Sequence, residues 1–221
     1  MIPLRLSACM PAAMLLVLFA HQACDRGTET AGAQPAARPA PALGPVEFKL
    51  DSGAEAFTFK PKEDGSKLEG PDGGELARYT GGPGKLKIKD GADAVLGFAV
   101  AKPDRIELQD PEGAPRFRLQ RQDDGDWKLE ASDGALLVRI KRRDYGWELE
   151  DPGKRSLAKA KLKEGKSSLR DAGDRTIYAT KDPAPLLGVA LLGLERLSLP
   201  ERGALFVLLE RDAAGNPEDR R

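Results

Sequence analysis

Through the middle of the chain an apolar residue is followed within four positions by an aspartate and, at once or nearly so, by a glycine, and the pattern returns about every twenty residues. The aspartates are Asp51, Asp72, Asp90, Asp110, Asp133, Asp151 and Asp171, so the steps are 21, 18, 20, 23, 18 and 20 residues. A repeat of this regularity means that each unit is one small supersecondary element that buries its apolar face only against its neighbours.

Each unit reads as a strand, a tight turn and a second strand. Lys85-Leu86-Lys87-Ile88-Lys89 alternates charged and apolar residues, Asp90-Gly91-Ala92-Asp93 is a turn signal, and Ala94 to Val100 is a more continuous apolar strand. Such period-two alternation marks a sheet with one wet and one buried face. The same form returns around Asp133-Gly134 and around Asp151-Pro152-Gly153. Asp-Gly pairs suit hairpin turns, because glycine takes positive φ cheaply and aspartate tolerates the left-handed region. The expectation is a mainly β protein, an antiparallel meander of six to seven hairpins and 12–14 strands. Gly81-Gly82-Pro83-Gly84 and Asp124-Gly125 mark links between units.

A meander of one-sided hairpins needs something to cover its apolar face. Asp182-Pro183-Ala184-Pro185 has the form of a helix start, and Leu186 to Leu194 is apolar on every side, which calls for burial all round. The apolar run is too short to cross a bilayer. A barrel closed around this helix removes the free sheet edges. One short further helix is expected, with Ser198 as N-cap and Glu201 completing a capping box, packing across the barrel mouth. The hairpin period together with Asp182-Pro183 leading into an apolar helix resembles the tubby-like fold of the LURP-one-related proteins and phospholipid scramblases, over residues 46–197. That resemblance implies about twelve strands around a hydrophobic C-terminal helix, and a link to phosphoinositides or lipid movement. A parallel β-solenoid, whose coils are also close to twenty residues, is the rival architecture.

At the N-terminus, Met1 and Arg5 precede an apolar stretch, Ala12 to Ala20, with Ala23-Cys24 at cleavage distance. Residues 1–23 therefore read as a secretory signal peptide. Ala23-Cys24 followed by a polar run resembles the processing site of bacterial lipoproteins, which implies acylation of Cys24; His21 and Gln22 depart from that pattern. Ordinary cleavage after Ala23 or Ala33 is the alternative. Residues 24–45 are rich in alanine and proline and read as a disordered tether. The folded domain is expected at 46–211 and a frayed tail at 212–221.

Removing the signal peptide removes His21, the only histidine, and Cys9, the only cysteine besides Cys24. Histidine-activated nucleophiles, His or Cys zinc sites and structural disulfides are thereby excluded from the folded domain. No cofactor and no metal site are expected, and the chain reads as a non-enzyme. Each repeat supplies too few carboxylates for a calcium loop, so the aspartates read as turn formers. With 35 basic and 35 acidic residues, no net field steers the protein toward nucleic acid. The densest basic cluster is Arg139, Lys141, Arg142 and Arg143, a candidate contact for lipid phosphates or an acidic partner, with a mixed solvated surface as the plainer reading. Trp127 and Trp147 open successive units and are candidates for an aromatic contact shelf or for packing at the barrel rim. The sequence thus reads as a monomeric lipoprotein of the bacterial cell envelope. It is held to a membrane through Cys24, faces the periplasm or exterior, and binds an envelope protein or polymer; lipid handling is the alternative.

Overall fold

The computed structural model describes residues 44–82 and 84–215. The expected signal peptide, Cys24, all but the last two residues of the expected tether, and residues 216–221 lie outside the described residues.

Among the described residues fourteen strands follow one another in sequence: β1 Val46–Lys49, β2 Glu55–Lys62, β3 Gly65–Glu69, β4 Glu75–Thr80, β5 Lys85–Lys89, β6 Val95–Lys102, β7 Arg105–Gln109, β8 Pro115–Arg121, β9 Trp127–Ala131, β10 Leu136–Arg143, β11 Gly146–Glu150, β12 Ser156–Lys163, β13 Lys166–Asp171 and β14 Thr176–Thr180. Each pairs antiparallel with its neighbours in sequence, and β14 returns to β1, so the sheet is a closed barrel. The strand number is at the top of the expected range. The hairpin count exceeds the expected six or seven, because the links between units are themselves antiparallel connections, as at β2–β3 and β12–β13. Antiparallel pairing throughout also rules out the parallel solenoid.

The repeat is clearest in the backbone of its turns. At one rim, seven turns begin at Leu50, Gly70, Asp90, Asp110, Ala131, Asp151 and Asp171; in each, the first N–H donates to the carbonyl four residues on, and the fourth N–H donates back to the first carbonyl. The fourth residue takes positive φ, as Gly53 (84°), Gly73 (77°), Asp93 (68°), Gly113 (89°), Gly134 (85°), Lys154 (66°) and Asp174 (64°). This is a type I turn closed by a left-handed residue, a common hairpin connection of this length. The fifth N–H also meets a side chain: that of the first residue in Asp90, Asp110, Asp151 and Asp171, and that of the third in Ser52, Asp72 and Asp133. One residue further along each even strand the register slips, leaving Ala56, Leu76, Leu96, Arg116, Leu137, Leu157 and Ile177 unopposed. Seven bulges at one height bend every even strand alike and tighten the local twist at this rim.

Alternation then separates the two faces of the wall. Leu86 and Ile88 are buried while Lys85 and Lys87 are exposed, and Lys67–Glu75 (3.3 Å), Lys102–Glu107 (2.7 Å) and Lys128–Glu130 (2.8 Å) are among the outward ion pairs. Strands of 4 to 8 residues with charged outer faces are short of the roughly 9–11 residues of a membrane-spanning strand. Among the described residues no helix is long and apolar enough to cross a membrane.

Two helices complete the core. Helix α1 is Leu186–Leu191, six residues, and α2 is Leu199–Gly215, seventeen residues. The expected proportions are thus reversed: the long C-terminal helix is the second, and it extends past Arg211 into the segment expected as a frayed tail. Helix α1 starts after Pro185 with no side-chain cap, and Asp182, expected as its cap, instead accepts the Glu47 N–H at 2.8 Å. The helix ends where Gly193 lies so close to the wall that a Cβ would stand 3.2 Å from Leu169 and 3.3 Å from Leu149. The Ser198/Glu201 capping box is present: Glu201 accepts the Ser198 N–H at 2.8 Å, and its own N–H donates to the Ser198 hydroxyl at 3.4 Å.

Ala204, Leu205, Phe206 and Val207 of α2 and Val189, Ala190 and Leu191 of α1 have no exposed surface, and they share one hydrophobic core with the inward-facing strand residues. Phe206 stacks on Phe59 with centroids 4.5 Å apart and meets Phe48 edge-on at 5.7 Å. Glycine permits the closest approaches: Gly188 faces the Phe206 ring, and Gly203 lies where any side chain would overlap the Tyr79 hydroxyl. The two ends of α2 are tied to opposite rims. Near its start Glu201 pairs with Arg116 at 2.9 Å beside the seven turns, and near its end Arg211 donates to the Gly81 carbonyl at 3.0 Å on the other rim.

Candidate functional site

The residues singled out by sequence sit on β9, β10 and β11. Register decides which way they face. Ile140 is fully buried and opposes both Trp127 and Leu149, so Trp127 belongs to the inner face. Trp147 alternates with buried Leu149 in the same sense, and both tryptophans pack against the core. They form no outward aromatic shelf; they close the inner layer near the rim opposite the seven turns.

Arg139, Lys141 and Arg143 alternate with buried Val138 and Ile140 and face outward, where each is already engaged. Arg139 donates to the Pro152 carbonyl at 2.6 Å. Lys141 pairs with Asp126. Arg143 reaches Glu148 at 3.0 Å and Glu150 at 2.7 Å. Arg142, with Trp147 as its register partner, lies on the other parity, exposed at the rim, and its N–H donates to Asp126 at 2.7 Å. The structure therefore does not gather the four cations into one free patch.

Asp126 is the residue that sequence reasoning missed. It is 8% exposed; burial opposes its ionisation, but the Lys141 ammonium and the Arg142 N–H outweigh this and hold its carboxyl below the usual range. The same pairing raises Lys141. Glu148 is likewise disfavoured by burial, yet Ser156, Arg143 and Tyr145 together lower it. The Tyr145 hydroxyl is pushed up to about 12, first by burial and then by Glu148. These shifts are those of a self-neutralising network in which the charged forms of Asp126, Lys141, Arg143 and Glu148 are stabilised by neighbours and Tyr145 is kept neutral. The available signal was the turn Gln122 to Asp126, which repeats the geometry of the other seven on the opposite rim but reads in sequence only as a link.

A recess of about 190 Å³ is bordered by Asp126, Trp127, Arg139 and Lys141 among others. A larger cleft, about 420 Å³, lies where β1 and β14 close the barrel, bordered by Lys49, Leu50, Lys166, Thr176, Lys181 and Asp182 among others. Sequence reasoning had no access to it, since it joins the first strand to the last. Among the described residues no three His, Cys, Asp or Glu side chains are grouped to hold a metal ion.

No family model matches the chain. No curated protein matches it either. Among solved structures, the X-ray structure of a protein from Arabidopsis thaliana is similar with 15% sequence identity, a TM-score of 0.33, and coverage of 63% of this chain and 80% of that one. A likeness at that level carries no argument about the function of this chain.

Proposed function

We propose that the protein is a lipid-anchored module of the bacterial cell envelope, held through Cys24, whose folded domain binds or scaffolds a protein or polymer partner without catalysing a reaction. The observation that carries this reading is the complete burial of Ala204 to Val207 among inward-facing strand residues, with the two ends of α2 tied to opposite rims. These contacts support a barrel whose lumen is plugged by its own helical hairpin, as the tubby-like resemblance implies. A barrel filled in this way by its own helices directs recognition to the outer wall, the rims and the seam. The lipid-handling alternative loses its motivating patch, because Arg139, Lys141 and Arg143 are matched by carbonyl or carboxylate partners.

The anchor is tested by fractionating cells that express the native chain and Cys24→Ala: the native protein should follow the membrane and the variant the soluble fraction. Identical partition of the two sinks the lipoprotein reading. The non-lipid reading is tested by sedimenting the mature unlipidated chain with neutral and anionic vesicles. Binding lost on neutralising Arg139, Lys141, Arg142 and Arg143 would restore the alternative.

A further inference from the structure

Two ladders of the barrel are thinner than the rest. Strands β1 and β14 share one register pair, Lys49 with Ala179, and β4 and β5 share three. Every other pair of neighbours shares four to six. The two thin seams bracket β1–β4, within which the ladders are full, with four pairs between β1 and β2 and five each in β2–β3 and β3–β4. These four strands hold one another better than they hold the ten that follow.

Side chains close what the ladders leave open. Across the first seam the Asp182 carboxylate accepts the Glu47 N–H at 2.8 Å, and Tyr178 meets Phe57 edge-on at 4.9 Å. Across the second, Arg78 pairs with Asp93 at 3.5 Å, and Arg211 donates to the Gly81 carbonyl at 3.0 Å, where the chain leaves β4. Asp182 and Arg211 both belong to the chain beyond β14, so each edge of the four-strand unit is clasped from outside the sheet.

The same unit lines the barrel differently. All the close ring pairs among the described residues involve Phe48, Phe57, Phe59 or Tyr79 of these strands, and their outside partners are Phe206 of α2 and Tyr178 of β14. The polar member of this lining loses nothing by leaving. The Tyr79 hydroxyl is fully buried against the α2 backbone at Gly203 and has no hydrogen-bond partner among the described residues. A buried hydroxyl without a partner costs the closed state, and water relieves it on opening.

We propose that β1–β4 form a flap that swings from the barrel as one unit along these two seams, uncovering α2, with Asp182 and Arg211 as its clasps. The free edge is β1, which has no covalent connection to β14. The hinge is the link after β4, where Gly81 at φ 124° and the neighbouring Gly82 can absorb the change in backbone angles that a hinge requires. Because the chain enters the domain at Val46, tension on the residues ahead of it reaches the free edge first.

The experiment compares two matched positions in the purified full chain carrying Cys9→Ala and Cys24→Ala. Ala77 on β4 and Ala160 on β12 both have no exposed surface, and each in turn is replaced by cysteine and challenged with a thiol reagent. Ala77→Cys should react on the order of tenfold faster than Ala160→Cys, with a shallower dependence on denaturant, because opening part of the wall exposes less surface than global unfolding. Tyr79→Phe removes the hydroxyl that opening relieves and should slow labelling at 77 about tenfold, whereas Asp182→Ala should speed it. Hydrogen exchange of the chain without added cysteines should show β1, β2, β3 and β4 opening at one shared rate, ahead of β5–β13. Equal labelling at 77 and 160, fast exchange confined to β1, or labelling at 77 indifferent to Tyr79→Phe overturns the proposal. Circular dichroism of each variant guards against misfolding, and the exchange measurement decides the question on native side chains if a cysteine variant does not fold.

Discussion

At the rim of the seven turns every connection repeats one five-residue turn, with a left-handed fourth residue and a side chain bonded to the fifth N–H. At the opposite rim the connections differ in length: β2–β3, β6–β7, β10–β11 and β12–β13 are each joined by two residues and β8–β9 by the five-residue turn Gln122 to Asp126, while at two places the chain beyond β14 bonds to this rim, Arg211 to the carbonyl of Gly81 and Asp182 to the N–H of Glu47. The first rim is made by local chemistry, so each turn is specified by the five residues within it. The second is mixed: its short hairpins are as local as the first rim's turns, while the chain at Gly81 and at Glu47 also leans on residues beyond β14. Stability at the two rims should therefore respond to different substitutions.

The largest expected effect comes from Phe206→Ala. The ring is fully buried against Phe59 and Phe48, and its loss should cost about 3–5 kcal/mol in denaturant unfolding. Hydrogen exchange in the same variant should rise first at 81–82 and 46–49, while the amides of the seven turns keep their protection. Uniform loss at both rims would break the contrast. At the local rim, Asp110→Ala removes the carboxylate that accepts the Ala114 N–H at 2.7 Å. A loss of about 1 kcal/mol is expected, the typical net worth of a hydrogen bond, because solvent screens the carboxylate in this exposed turn. Asp51→Ala, which removes an aspartate prominent in sequence but outside the bonded positions, should change stability by less than about 0.5 kcal/mol. Equal effects would show that the side-chain bonds do not define this rim. Lys154→Gly should act in the opposite direction: Lys154 holds φ 66°, and relieving a side chain in that region should stabilise by up to about 1 kcal/mol.

The last effect is tied to pH. Glu210, near the end of α2, has its carboxyl pushed up to about 7 by burial, with Arg211 acting against the shift. A carboxyl whose folded value is raised favours the protonated form, so its cost to stability is absent at acid pH and grows as pH rises from the ordinary range through 7. Glu210→Gln should therefore raise the melting temperature by roughly 2–4 °C at pH 8, as expected for about 1 kcal/mol in a domain of this size. The gain should vanish below about pH 4.5, near the ordinary carboxylate range. A gain that persists at low pH would mean that the residue acts through packing.

The contrast between the rims also decides what could be read in advance. The period was legible because turn chemistry is local, yet counting aspartates blurred it. Measured between first turn residues, from Leu50 to Asp171, the steps are 20, 20, 20, 21, 20 and 20. Aspartate does the same work from the first or the third turn position, so its own spacing wanders while the backbone keeps step. The bulges could not be read, since nothing in an alternating strand announces an extra residue. The helices were legible as apolar segments but not in their limits. Pro185, Gly193 and the nearby wall set the ends of α1, and residues 212–215, which read as the start of a tail, are the last part of α2. The candidate cations were legible as a cluster in sequence, but their partners Asp126, Glu148 and Glu150 come from neighbouring strands.

The order in which the core is supplied bears on how such a chain reaches its destination. Strands made first have an apolar face and no filling, because Val189 to Leu192 and Ala204 to Leu208 are the last buried parts of the domain to be synthesised, and β1 waits throughout for β14. Closure late in synthesis is thus built into the chain order, since an incomplete domain has nothing to fold around. The same order makes the C-terminus a checkpoint for quality control: a chain cut short before residue 199 would carry all fourteen strands and still expose the surface that proteases and chaperones recognise.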